Sequence, residues 1–479
     1  MSGYDTDSSL SLSSDDEYCG DNGEQFREEI LEGKYAIIHK IGYGAYSSVW
    51  LAFNLQNNNY YAIKIQNAED YDEGLEELKI LKRLSTYKST NIIKLEDSFI
   101  ISKKNINHIK VKKKGRIKVK QEITYDRNIC MVLPLLACDL YTLVRKGNHK
   151  HGLPIEIINK IIKSLLESIE ILHNKEKICH TDLKPENVLL SGINNKIQQI
   201  IDEYNSHNIL NLVNEKVTEL EQKYDKNIKS QKKKIKEHKK NFIKRCHQEI
   251  LQKMKTIESV HYSSDEESID EEKESTEEEY INDDESYEKN SNNSKNESEE
   301  TYSTSSYSSS ESNDEDIVDD ELIKKNNFTL IDFGSAIRIN DLENDEIQTR
   351  YYRAPEVILQ VKYNEKIDIW SIGCILYELC TGEILFDPSK TKDYNRDFHH
   401  LYLIEKTIGK INNSLINKSK RKKEFFDKKN YLKCKNLECH NKFLDKIKDG
   451  KIKDLIISCL TVNPKERPSI EKLLALYRN

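Results

Sequence analysis

Four residues of three types, in a fixed order, could together move a phosphoryl group. Asp182, Lys184 and Asn187 stand in "ICHTDLKPENVLL" (178–190), and Asp332 stands in "LIDFGSA". The aspartate of such a loop can accept or orient the proton of an attacking hydroxyl. A lysine two positions on can neutralise charge on the moving group, and an asparagine with a second carboxylate can hold a divalent cation. Upstream, "IGYGAYSSVW" places Gly42 and Gly44 between two predicted strands, where glycine lets backbone N–H groups approach phosphate oxygens. Lys64 in "YAIK" follows on the next strand, within reach of the same phosphates. A helical glutamate can hold its ammonium. Glu76 and Glu77 both qualify, and Glu77 is preferred because it lies on the helix flank beside Leu78 and Leu81. Singly, each signal is weak. A Gly-x-Gly is more often an ordinary hairpin, and a lone Asp or Asn in a loop is more often a turn residue. Their joint occurrence in this order removes coincidence.

Two features of the set are odd. Thr181 precedes Asp182 where an arginine is expected, and Asp332 arrives 150 positions after Asp182, far beyond the usual gap.

The elements that must position these residues are legible from periodicity. "KYAIIHKIG", "SSVWLAFN" and "NYYAIKIQ" alternate as short strands separated by Asn-rich turns, and "EGLEELKILKRLS" has Leu75, Leu78, Leu81 and Leu84 at helical spacing. "HIKVKKKGRIKVKQEI" (108–123) alternates β-branched and basic residues around a Lys-Gly turn and predicts a basic hairpin. "ICMVLPLL" predicts a buried strand, and "PIEIINKIIKSLLESIEILHN" an amphipathic helix. Residues 192–261 read as Lys-rich helices and 262–320 as a solvated acidic Ser/Thr/Tyr tract.

The formal net charge of -7 hides a segregation. Residues 1–33 carry 10 acidic and 1 basic side chains, residues 262–320 carry 23 and 3, and the rest of the chain is near +22. A basic body with acidic appendages follows. The ten cysteines show no framework spacing, which fits a reducing compartment. Cys434, Cys439 and His440 lack the second ligand pair a zinc site needs. The polar acidic N-terminus is no signal peptide, and no apolar run is long enough to span a membrane. The expectation is an intracellular protein, cytoplasmic with nuclear shuttling (host cytoplasm if viral), monomeric and without a membrane partner.

With "YYRAPE" (351–356), "DIWSIGCILYELCTG" (368–382) and Arg467 in "NPKERPS", the motif set resembles the eukaryotic protein kinases over roughly 34–191 and 326–479. The resemblance implies an α+β, bilobal fold with a small β-rich N-lobe and a larger helical C-lobe. The organisation is then a disordered acidic tail (1–33), the N-lobe (34–133), the hinge and first part of the C-lobe (134–191), a spacer insert (192–325), and the rest of the C-lobe (326–479). Lys184 resembles the serine/threonine class. "GYGAYSSVWLA", "ICHTDLKPEN" with Thr181, "EIQTRYYR", "LFDPSKTKDYNRD", "KEFFDKK" and the large spacer are similar to the SR-protein-specific kinases. Three departures stand out. "DFG" and "APE" are the general kinase forms, "SAIRIN" looks closer to LAMMER-type relatives, and the basic hairpin is an addition. Ser47 also replaces the third glycine of the phosphate loop.

The resemblance implies ATP and Mg2+. It implies Ile41, Val49 and Ala62 above the adenine and Leu189 below it, Leu133 as gatekeeper, Pro134 opening the hinge, Leu136 offering an N–H and Asp139 facing the ribose. Asp182, Lys184, Lys64 and Glu77 would be catalytic, with Thr349 bridging Asp182 and Lys184, and Asn187 and Asp332 on the metal. Without the usual arginine at Thr181, an activation-loop phosphate would lack its principal cation, so activity is expected without that phosphate.

The family also grips basic Arg-Ser peptides in an acidic groove. Here Arg353, Glu383, His399 and Lys406 would line that groove, and His399 and Lys406 replace acidic positions. Arg-Ser-repeat proteins are therefore weighed against acidic or mixed substrates, the chain's own "SSDDEY" and "SSDEES" included. The spacer is either a tolerated surface insertion or an acidic regulator docking on the basic body. Nucleic-acid binding through the two basic segments is the second function class. It ranks below, because neither segment interleaves aromatics as a base-stacking platform does.

Overall fold

The computed structural model describes residues 26–44, 46–113, 116–145, 149–225, 227–254, 320–343, 346–390, 394–433 and 443–478, with the side chains of 105–123 and 320 outside the description. The acidic segments 1–25 and 262–319, and Cys434, Cys439 and His440, lie outside the described residues.

The small lobe is one antiparallel sheet. Its strands are β1 (Ile30–Leu31), β2 (Tyr35–Gly44), β3 (Ser47–Asn54), β4 (Tyr60–Gln66), β5 (Asp97–Lys113) and β6 (Arg116–Leu133), in the order β1-β2-β3-β4-β6-β5. The boundary expected at residue 34 needs correcting. β1 pairs with Tyr35 and Ala36, and Phe26 and Leu31 are buried with Tyr35, Ile37 and Trp50. Two apolar side chains in an otherwise acidic segment were enough to bring its end into the sheet. β6 corrects a second reading. The basic arm and the buried "ICMVL" form one strand, paired with β4 only from Cys130 to Leu133 and with β5 along the whole arm, from Lys113↔Arg116 to Asp97↔Val132.

Helix α1 (Tyr71–Leu84) buries Glu77, Leu78, Ile80, Leu81 and Leu84. β7 (Leu136–Asp139) follows β6 through the hinge, and Asp139 Oδ1 accepts the Thr142 N–H at 2.6 Å, starting α2 (Leu140–Arg145). α3 (Ile155–Glu170) buries Ile158, Ile161, Ile162, Leu165, Leu166 and Ile169, the stripe its periodicity predicts. A π-helical turn, Ile171–Glu176, carries it to β8 (Ile178–Cys179), and β9 (Val188–Ser191) follows the catalytic-type loop.

The spacer is inserted between two paired strands. β10 (Phe328–Leu330) lies antiparallel to β9, with Phe328 opposite Leu190. In between stand α4 (Asn195–Ser206), α5 (Ile209–Lys223), α6 (Lys229–Lys253) and α7 (Asp320–Lys325). α4 and α6 pack on the small lobe, and α5 packs on α6. The buried His247 ring donates its Nε2–H to the Ile37 carbonyl of β2 (2.9 Å), and its Nδ1 accepts the Tyr204 hydroxyl (3.0 Å). Tyr204 also packs its ring, tilted, against Phe53, Tyr60 bonds Asn205, and Asn194 bonds the Ala137 carbonyl of the hinge strand. Burial holds the His247 imidazolium down to about 4, so the ring is neutral. Periodicity gave the helices, but the surface they cover follows from these long-range contacts.

The large lobe continues with β11 (Ile337–Arg338), which pairs with β8, and the short α8 (Pro355–Ile358). α9 (Lys366–Thr381) has fourteen of its sixteen residues buried and forms the lobe's central core helix. Around it stand α10 (Arg396–Thr407), α11 (Asn413–Ile416), α12 (Lys422–Phe425), α13 (Gly450–Cys459) and α14 (Ile470–Arg478).

Candidate active site

Two polar clusters meet at the junction of the lobes. The first joins three elements. Lys64, on β4, points at the α1 carboxylate Glu77 (2.8 and 2.9 Å) and at Asp332 Oδ1 (2.9 Å). Glu77 is buried on the inner face of α1, beside Leu78 and Leu81 as the periodicity requires, whereas Glu76 is exposed and pairs with Lys79. Burial pulls the Lys64 ammonium down, but the Asp332 and Glu77 carboxylates overcome it and hold it above its ordinary value. Lys64 in turn holds the Asp332 carboxyl down to about 2. Both remain charged at neutral pH.

The second cluster centres on Asp182. Its Oδ1 accepts the Thr349 hydroxyl (2.6 Å) and N–H (3.1 Å), and Lys184 approaches its Oδ2 at 3.3 Å. Thr349 and Lys184 are thus joined through the carboxylate. Asn187 donates its amide to the Asp182 carbonyl at 2.8 Å. That bond leaves the Asn187 amide oxygen, and the Lys64 bond leaves Asp332 Oδ2, as the donor atoms suited to a hard divalent cation.

Asp368, a residue the motif reading did not single out, positions this loop. It is fully buried at the start of α9, and accepts the N–H of His180 (2.8 Å) and Thr181 (3.0 Å) and the His173 ring (2.8 Å). Burial works against its ionisation, but the His173 bond and the neighbouring donors keep the carboxyl below its ordinary value. Its signal in the sequence was an acid at the head of an otherwise apolar helix.

Thr181 is buried with φ 68, an uncommon conformation for a β-branched residue. Its hydroxyl donates to the Ser335 carbonyl at 2.6 Å, tying the catalytic-type loop to the segment after Asp332. Further along that segment, the buried Gln348 amide bonds the Ile367 carbonyl (3.0 Å), Ser371 Oγ (2.7 Å) and the Ala354 N–H (3.0 Å). Arg350 pairs with Asp397, which also pairs with Arg421.

The residues expected around the nucleotide fall on facing positions. Gly42 is opposite Val49, Leu51 opposite Ala62, Ala62 opposite Leu133, and Leu189 opposite Asp139. Ile41, Ala62 and Leu133 are buried, and Ser47, Val49, Pro134, Leu136 and Leu189 are half-buried. Gly44 closes β2, opposite Ser47.

The four groove candidates each have partners of their own. Arg353 is buried against the Gln348 carbonyl (2.9 and 3.1 Å) and Glu346 (2.6 Å), so it shapes the loop from within. The exposed Glu383 pairs with Lys446. His399 accepts the Ser389 N–H at 2.9 Å, and Lys406 lies over the Tyr402 ring. Near the catalytic-type loop a different carboxyl stands out. Burial pushes Glu186 up to about 7, Lys184 opposes the shift, and Asp139 and Glu378 add to it.

A model of the protein kinase domain matches residues 35–203 and 318–476. The chain is 29% identical to the putative serine/threonine-protein kinase L205 of Acanthamoeba polyphaga mimivirus, over 90% of this chain and 84% of that one. It is 26% identical to the serine/threonine-protein kinase SRPK of Physarum polycephalum (85% and 74% covered) and 26% identical to human SRSF protein kinase 3 (85% and 77%). The crystal structure of the PF14_0431 kinase domain matches with a TM-score of 0.54 at 19% identity, covering 94% of this chain and 96% of that one. The last likeness concerns the fold alone.

Proposed function

The chain belongs to the protein kinase family, as a split serine/threonine kinase of the SR-protein-specific type, and from that premise we propose a constitutively active kinase that phosphorylates serines beside arginines. The observation that carries the reading is the contact of Lys64 with both Glu77 and Asp332, made across 268 positions of sequence in the second case. Magnesium ATP, when bound, supplies the transferable phosphoryl group. The fit rests on the donor atoms left by Asn187 and Asp332, beside a lysine held charged. Lys64 orients phosphate oxygens while Glu77 keeps it from folding back. Asp182 orients the acceptor hydroxyl and takes its proton, and Thr349 and Lys184 fix the carboxylate that does so. The apolar strand positions from Ile41 to Leu133 exclude water from the base, with Leu189 closing the other side.

Activity without loop phosphorylation is supported by the ties already made. Thr181, Gln348 and Arg350 hold Ser335 and residues 348–354 with hydroxyl, amide and carboxylate partners, so a phosphate is not needed to order those positions. Arginine preference is supported by the relatives named for SRSF proteins and by Glu186, whose Oε2 is buried without a hydrogen-bond partner two residues from Lys184. An arginine beside the acceptor serine would ionise and satisfy that carboxyl. The groove itself favours a second reading. Lys446 neutralises Glu383, and His399 and Lys406 offer no negative charge. Acidic or mixed substrates would then compete.

One assay separates these readings. Enzyme made in bacteria and stripped by phosphatase is offered Arg-Ser and Ser-Asp-Asp-Glu peptides with magnesium ATP. Full activity with faster turnover of the Arg-Ser peptide is expected. Dead enzyme would sink the constitutive reading, and preference for the acidic peptide the arginine one. Thr181→Val, nearly isosteric, should lower kcat roughly tenfold, on the scale of one lost buried hydrogen bond, with the KM for ATP little changed. Thr181→Ser should restore it. Equal loss in both variants would show that the hydroxyl is not the tie.

A further inference from the structure

Phosphoryl transfer leaves one surface of the spacer unused. α6 buries Ile243, Cys246, His247, Ile250 and Leu251, all in its C-terminal half. Over 229–240 it carries seven lysines, all exposed, and Glu237 as the one acid. At 3.6 residues per turn, Lys229, Lys232, Lys233, Lys236, Lys239 and Lys240 fall within an arc of about 120°, and at 1.5 Å per residue they extend over about 16 Å. The face that packs on the small lobe thus continues past it as a lysine stripe.

Local physics works against this half-helix. Ile228 gives it no side-chain cap, its first turn has no acid, and its lysines stand at the positive end of the peptide dipoles. Lys229/Lys233, Lys232/Lys236 and Lys236/Lys240 repel at four-residue spacing. Each of these penalties reverses beside a polyanion. Local rules broken without compensation within the fold point to a function.

We propose that this stripe binds the phosphate backbone of double-stranded nucleic acid without regard to sequence. Over about 16 Å of its axis a duplex presents about nine phosphates on its two strands, at one per about 1.7 Å, and the stripe faces roughly half of them. Lysine is depleted at protein–protein interfaces, which are anchored by aromatic and apolar side chains, and the arc exposes none of these. The missing aromatics equally disfavour a single strand, which is held by base stacking. The surface acts independently of the active site and would tether the kinase near nucleic-acid-bound substrates.

The test is fluorescence anisotropy of the full chain with a labelled random-sequence RNA duplex of about twenty base pairs, from 50 to 200 mM salt. A log–log salt slope of about -4 is expected. Replacing Lys232, Lys233, Lys236 and Lys239 together by Gln should weaken binding more than tenfold at 50 mM salt and flatten the slope. Peptide phosphorylation and the thermal melt should stay within twofold and a few degrees. Unchanged affinity in that variant overturns the assignment. So does loss confined to a second variant, in which Lys110, Lys112, Lys118 and Lys120 of the β5–β6 arm become Gln. Displacement of the duplex by poly-glutamate of equal charge would make the partner an acidic polypeptide and overturn it as well.

Discussion

Asp182→Asn should lower kcat by about a thousandfold while leaving the fold and the KM for ATP nearly intact. The substitution keeps an oxygen where Oδ1 now accepts the Thr349 hydroxyl and N–H. It removes the charge that draws the proton off the acceptor hydroxyl and that holds Lys184 at 3.3 Å. General-base contributions run to roughly 10²–10⁴-fold, and the positioning supplied by Lys64, Asp332 and Asn187 survives. Single-turnover phosphorylation of a serine peptide reads the chemical step directly. A loss under tenfold would mean that Asp182 does not act on the acceptor hydroxyl. A large loss with an equal drop in melting temperature would instead point to a structural role. The contrast with Lys64→Met is informative. Removing that cation leaves Glu77 buried without its partner and should affect nucleotide binding and stability as well as rate.

That the candidate residues would meet was legible because each sits in a short motif whose local structure is fixed by nearby residues. Gly42 and Gly44 mark a strand end, Leu78 and Leu81 place Glu77 on the inner face of α1, and the three-residue turn Pro185–Asn187 aims Asn187 back at Asp182. Thr181 was noticed only as a missing arginine. Its hydroxyl bond to Ser335 spans 154 positions, and no local pattern announces it. The same holds for the docking of α4–α6. Their periodicity marks an apolar face, but Tyr204 and His247 meet Phe53 and Ile37 only once the sheet exists. The groove was the least legible part. The family resemblance pointed to Glu383, while its pairing with Lys446 depends on a segment 63 residues away. The N-terminal boundary failed for a related reason. Composition judged residues 26–33 by their charge, and the sheet recruited them through Phe26 and Leu31.

The largest effect on stability should come from Arg467→Ala, a residue that touches no candidate substrate atom. Arg467 and Glu356 are both fully buried and paired twice, at 2.6 and 3.0 Å. Arg467 also donates to the Thr461 and Lys366 carbonyls at 2.9 Å and stacks over Trp370. Glu356 belongs to α8, at the end of the segment that Gln348 and Arg353 hold, so the pair fastens that segment to the helical lobe. Alanine leaves the Glu356 carboxylate, two carbonyls and a ring face without their partner in a dry interior. Breaking a buried pair in this way costs roughly 3–5 kcal/mol, which for a lobe of this size lowers the melting temperature by roughly 6–20 °C. Lysine should not rescue, because one ammonium cannot reproduce the fork that reaches both carboxylate oxygens and Thr461. Replacing Arg467 by Met and Glu356 by Gln together should recover much of the loss, since much of the penalty lies in the stranded charge rather than in the net worth of the pair. Denaturant unfolding of the four proteins separates these contributions. If the single Arg467→Ala change costs under 1 kcal/mol, water or a shifted lysine has reached Glu356. The pair would then be decoration rather than the fastening of the activation segment.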